Sequence, residues 1–111
     1  MTPANALTNS VISTMRLLGH ETWRNNNVGI FDPVKKIYRK GSGDSNGLGD
    51  VCSIIRRSGQ HAELEIKIKP DKPSDAQLAR QKRIRAIGAI YEFIYCIDDL
   101  LSLIKREGWD R

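Results

Sequence analysis

The first twenty residues contain no Asp or Glu, in a chain of 111 that carries thirteen acids against eighteen Lys and Arg. The net charge of +5 and a pI near 9.5 favour polyanions as partners, and they suit plain solubility equally well. Cysteine is scarce too: Cys52 and Cys96 lie far apart, and neither sits in a CxxC or Cys/His ligand spacing. That argues against a zinc site and against a disulfide scaffold, and it suits a reducing, cytoplasmic setting. No apolar run approaches the roughly 18 residues of a membrane span, and the N-terminus lacks the basic and apolar regions of a secretion signal. Repeats, low-complexity tracts and long linkers are missing as well. What remains is one mixed α/β domain over residues 1–111, with 40% hydrophobic content, enough for a core of ordinary size.

Thr2-Pro3 reads as an N-cap followed by proline at the first helical position, and Leu7, Val11, Met15 and Leu18 repeat at helical spacing until Gly19. "HETWRNN" reads as a strand leaving through a turn, and "GIFDPVKKIYRKG", with its proline, as an irregular or edge hairpin. "DVCSIIRR" and "QHAELEIKIK" predict a strand pair joined by a two-residue turn at Ser58-Gly59. In the second strand Ala62, Leu64, Ile66 and Ile68 alternate with Glu63, Glu65, Lys67 and Lys69, giving one apolar and one charged face. Ser74 with Gln77 forms a capping box for a helix to about Ile87. "AIYEFIYC" then reads as a strand, and Asp98 is expected to cap a last helix that Gly108 terminates.

A turn at Ser58-Gly59 pairs Arg57 with Gln60, which places Asp50 opposite Lys67 and Cys52 opposite Glu65. Asp50, Glu65 and Lys67 then share one side of the hairpin, roughly 5 to 8 Å apart, a span that one hydrated cation can bridge. Two carboxylates with room for water suit Mg²⁺ or Mn²⁺, and the Ile66 backbone carbonyl can add an oxygen. A lysine beside such a metal can orient the attacking water and stabilise charge developing on phosphorus. The competing reading is a surface ion-pair ladder. The preceding "GSGDSNGLGD" fails as a calcium loop: with Asp44, Asn46 and Gly49 at positions one, three and six, Leu48 falls at five and Ile55 at twelve. Its small residues instead suit a close approach of a phosphate backbone to Asp50.

With "WRNN" after the first helix, "NGLGD", "ELEIKIK" and "PSDAQ" in order, the chain resembles the virus-type replication-repair nuclease (VRR-NUC) domain of the PD-(D/E)XK superfamily. The resemblance covers nearly all of it. It implies a restriction-endonuclease-like core, a mixed sheet flanked by helices in the order α-β-(β)-β-β-α-β-α, and metal-dependent cleavage of branched DNA such as four-way (Holliday) junctions by a homodimer. A non-catalytic nucleic-acid-binding module on the same fold is the alternative. By resemblance Asp50 is the metal-binding aspartate, Glu65 the second acid, Lys67 the catalytic lysine and Gln77 the glutamine of the next helix. Family members usually add a glutamate from the first helix, where this chain has Asn5, Ala6 and Asn9. Gln77 is expected either to complete the capping box or to serve the site, one at a time.

Arg24, Asn25, Lys69, Arg80, Lys36 and Arg39 are the candidate DNA contacts, since phosphate binding by such residues gives sequence-independent affinity. Trp23 is assigned to the core, while His20 and His61 are read as isolated surface or edge residues. Cys52 is read as packing, with no histidine in motif reach to activate it. The "AIYEFIYC" strand and "IDDLLSLI" helix fit a dimer face as readily as they complete the core.

Overall fold

The computed structural model describes residues 1–25, 34 and 47–111 in full and 30–32 and 37–39 by their backbone; Lys36 and the Arg39 side chain lie outside the described residues. The elements are α1 (Pro3–Leu17), β1 (Glu21–Arg24), β2 (Ile30–Asp32), β3 (Ile37–Arg39), β4 (Val51–Ile54), β5 (His61–Ile66), α2 (Asp75–Ala86), β6 (Ile90–Ile94) and α3 (Ile97–Glu107). Four strands form a mixed sheet in the order β1-β4-β5-β6, antiparallel except for the β5–β6 pair, and β2 and β3 form a separate antiparallel hairpin. The parallel pair requires a crossover, and α2 supplies it. The expected mixed α/β architecture is borne out.

The sheet's two faces are covered differently. On one face Val51, Ile55, Ala62, Leu64, Ile66 and Ile94 pack with Val11 and Met15 of α1 and Leu100, Leu103 and Ile104 of α3. These α3 and β6 residues therefore complete the core and are not a free dimer face. α1 begins as expected: Thr2 accepts from the Asn5 N–H at 3.1 Å and Pro3 follows it. α3 begins two residues earlier than expected. Cys96 is its N-cap and makes no side-chain cap bond, whereas Asp99, one turn in, accepts from the Tyr95 N–H at 2.9 Å, so Asp98 is not the cap.

α2 lies on the opposite face and buries only Ile84. Its docking groups are polar and recur at helical spacing: Gln77 bonds Glu65, Arg80 bonds Glu63, and Gln81 bonds the Tyr91 carbonyl. The charged side of β5 is consequently not a solvated face. Glu63 is fully buried and Glu65 nearly so.

The β4–β5 turn also differs from expectation. The Ile55 N–H donates to the Gln60 carbonyl and the Gly59 N–H to the Ile55 carbonyl, both at 2.9 Å, so Arg56–Gly59 form a four-residue loop. Arg57 (φ 77°) and Gly59 (φ 72°) take the left-handed conformation, and the Arg56 N–H is held outside the ladder by His20 Nδ1 at 3.0 Å. The register consequently runs Val51↔Leu64 and Cys52↔Glu63, two residues from the expected pairing. Cys52 is opposite Glu63, not Glu65, and Asp50 falls opposite Glu65, not Lys67. Because the slip is even, every side chain keeps its face.

Candidate metal and nucleic-acid site

Asp50 precedes β4 at the open end of the sheet, and four backbone bonds hold it and Gly49. The Asn25 N–H donates to the Asp50 carbonyl at 2.8 Å, continuing the β1–β4 ladder. The Asp50 N–H donates to Glu65 Oε2 at 3.1 Å, and the Gly49 N–H to Glu63 Oε1 at 3.1 Å. Asn25 Nδ2 donates to the Gly49 carbonyl at 2.9 Å and also to Cys52 Sγ. Gly49 lets the loop lie close on β5: a Cβ there would stand 3.0 Å from Glu63 Cβ and 3.1 Å from the Leu64 nitrogen, so a side chain would push the two apart by a few tenths of an ångström. Two residues earlier, Tyr91 Oη donates to the Gly47 carbonyl. The described end of the glycine-rich stretch is thus pinned against β5 and β6.

Asp50 Oδ2 in turn accepts from the Ile66 N–H at 2.9 Å. In a strand, the N–H and C=O of one residue point to the same side, so the Ile66 carbonyl is directed toward this side as well. Burial, followed by the charge of Asp50, pushes Glu65 up to about 8, although the Lys67 charge opposes the shift. Lys67 lies two residues beyond Glu65 on the same face, its N–H bonded to the Ile94 carbonyl at 3.0 Å.

Gln77 makes the capping contact and a contact to Glu65 at once. Its Oε1 accepts from the Ser74 N–H at 2.9 Å while its Nε2 donates to Glu65 Oε1 at 2.8 Å. The amide has two ends, so capping and site contact need not alternate.

Glu63 is the residue that sequence reasoning passed over. Burial alone would raise its pKa, but hydrogen bonds from Arg80, His61 and the Gly49 N–H outweigh burial and hold it below the usual carboxylate range. Arg80 grips it in a fork, Nε to Oε1 at 2.7 Å and Nη2 to Oε2 at 2.8 Å. The guanidinium expected on phosphate is therefore turned inward, and Asn25 likewise spends both amide hydrogens within the protein. His61 bonds Glu63 Oε2 at 2.7 Å. Cys52 is buried packing, as read, with burial pushing its thiol up to about 11.

The other candidates remain outside this core. Arg24 is exposed, its Nη2 bonded to Asn5 Oδ1 at 2.8 Å, which ties β1 to the first turn of α1. Lys69 lies in the turn beyond β5 and lines a cavity with Ile68, Tyr95, Cys96 and Asp99. Trp23 is not core: α2 does not reach β1, and the ring, paired with Cys52 in the ladder, is 36% exposed on the same face as Glu63 and Glu65. His20 is buried at the far end, where Nδ1 accepts from Arg56; Nε2 therefore carries the proton and donates to the Trp109 carbonyl at 2.9 Å.

Among the described residues no three His, Cys, Asp or Glu side chains converge. The donor set is the carboxylate pair with a backbone carbonyl directed to the same side. Such all-oxygen donors fit a hard divalent cation better than zinc.

A four-stranded mixed sheet flanked by helices defines a mixed α/β fold. No family model and no curated protein matches the chain. Among solved structures it is similar to one titled "VRR_NUC domain", at 19% sequence identity and TM-score 0.69, over 95% of this chain and 97% of that one. The fold is that of a VRR_NUC domain, as the sequence motifs imply.

Proposed function

We propose that the protein is a divalent-metal-dependent DNA endonuclease. The observation that carries the reading is the convergence of Asp50 and Glu65, with Lys67 on the same face, at the open end of the central β4–β5 pair, where the Gly47–Asp50 end of the glycine-rich stretch is pinned. Asp50 and Glu65 would hold Mg²⁺ or Mn²⁺, with the Ile66 carbonyl as a further oxygen. Such a cation polarises a phosphoryl oxygen and lowers the pKa of bound water. Lys67 neutralises charge that builds on the phosphate during displacement. Gln77 fixes the rotamer of Glu65, and Arg24, Lys69, Lys36 and Arg39 supply phosphate contacts, with the exposed Trp23 ring as a stacking surface. Branched DNA such as a four-way junction is the proposed substrate, cut by a homodimer because two symmetric incisions need two sites. No described helix is long and apolar enough to cross a membrane.

The test is cleavage of four-way junctions, flaps and linear duplexes in Mg²⁺, Mn²⁺ or EDTA by the parent, Asp50→Asn and Glu65→Gln. Metal-dependent incision lost in both variants is expected; incision that persists in EDTA or in either variant overturns the assignment. DNA binding without incision in the parent would favour the binding module instead, for which the acid-free first helix speaks. Sedimentation across concentration tests the dimer.

A further inference from the structure

The Gly49 backbone is held on both sides of its Cα by the side chains of Glu63 and Asn25. Its N–H is bound by Glu63 Oε1 and its C=O by Asn25 Nδ2. Glu63 itself is immobilised by the Arg80 fork, and its side chain is fully buried while that of Arg80 is 18% exposed. A buried ion pair is a weak source of stability, since apolar side chains of similar volume commonly do as well or better. Burying this one on the polar face of the sheet therefore calls for a purpose other than stability, and the bond to Gly49 supplies one. The residue after Gly49 is Asp50, and a displacement of the Gly49–Asp50 peptide moves the Asp50 carboxylate directly.

We propose that Glu63, oriented by Arg80, and Asn25 are positioning residues that clamp the Gly49 backbone and so set where the Asp50 carboxylate stands relative to Glu65. The proposal rests on the nuclease reading for its catalytic readout only. Neither Glu63 nor Arg80 meets DNA; both act through the backbone of the loop. Carboxylates that must share one cation tolerate little error, and misplacement by about 1 Å lowers turnover on the order of 100-fold.

The experiment compares the parent with two double variants, Glu63→Met/Arg80→Met and Glu63→Gln/Arg80→Met. The first removes the ion pair and the acceptor together; the second restores an uncharged acceptor for the Gly49 N–H. Three quantities are measured: kcat and KM for junction cleavage, Mn²⁺ affinity by titration calorimetry, and amide exchange at Gly49 and Asp50 in the metal-free protein. The Met/Met variant is expected to lose about 100-fold in kcat with KM nearly unchanged, to bind Mn²⁺ roughly 10- to 100-fold more weakly, and to exchange Gly49 and Asp50 faster. The Gln/Met variant should recover most of each loss. Parent-like exchange at Gly49 in the Met/Met variant overturns the clamp, as does a Gln/Met variant that recovers nothing. If the Met/Met variant fails to fold, Asn25→Ser, which opens the other side of the grip, carries the same three measurements. A parent that cleaves no DNA defeats the nuclease reading alone, while exchange and Mn²⁺ affinity still decide the clamp.

Discussion

Asp50 and Glu65 stand opposite one another where the β4–β5 ladder opens, the Asp50 N–H on Glu65 Oε2 at 3.1 Å and the Ile66 N–H on Asp50 Oδ2 at 2.9 Å. Two acids in one place need either a proton or a cation between them. Glu65 takes the proton, rising from 4.5 to about 8 through burial and then the Asp50 charge. A carboxyl raised in the folded state contributes stability in full below its unfolded pKa and loses it as pH climbs through the folded value. The metal-free melting temperature should therefore fall between about pH 5 and pH 8, and Glu65→Gln should flatten that fall. Mg²⁺ should raise the melting temperature more at the alkaline end, where no proton competes for the site. Calorimetry over this range checks all three, and a parent curve that is flat or rises in EDTA refutes the shift.

Arg80 and Arg85 lie on the same helix and should behave very differently. Arg80→Ala strands the buried Glu63 charge, at about 3 to 5 kcal/mol. Arg85→Ala breaks a half-exposed pair with Glu92 and should cost at most about 1 kcal/mol. Urea unfolding of the two variants measures the difference directly. Equal losses would mean that Glu63 is not held as described.

His20→Leu should destabilise without touching chemistry. It orphans the Arg56 N–H and the Trp109 carbonyl, at roughly 1 to 3 kcal/mol for each group left unsatisfied. The site is at the other end of the hairpin, so kcat at a temperature where the variant is folded should match the parent. A selective loss of kcat would tie the two ends together in a way the contacts do not.

Lys69 and Trp23 separate by salt. Lys69→Ala should weaken DNA binding and reduce the slope of log affinity against log salt by about 1, as loss of one phosphate contact does. Trp23→Ala should leave the slope unchanged and lower affinity for unpaired nucleotides by about 1 to 3 kcal/mol. Fluorescence anisotropy at several salt concentrations distinguishes them.

The sequence carried the helices, the succession of elements along the chain and the face shared by Asp50, Glu65 and Lys67, the last because period-two alternation survives any even error in register. The slip itself was illegible, since it depends on His20, 36 residues away from Arg56, holding that N–H out of the ladder. α2 hid its docking face for a different reason: Gln77, Arg80, Gln81 and Ile84 recur at helical spacing, but three of the four are polar and a search for apolar periodicity passes over them. Glu63 and Trp23 were misread by one and the same rule, that charge faces water and an indole faces the core. A helix covers β5 and stops short of β1, so both exceptions follow from how far α2 extends.

Gln77 makes the start of that helix part of the site. Its amide closes the first turn at Ser74 and grips Glu65 with the other end, so a frayed turn is also a released carboxylate. Whatever binds at Glu65 must therefore draw on, and in turn suppress, the local melting of α2. Occupancy of the site should be readable in how slowly the Ser74 and Gln77 amides exchange, away from any group that touches the bound ion.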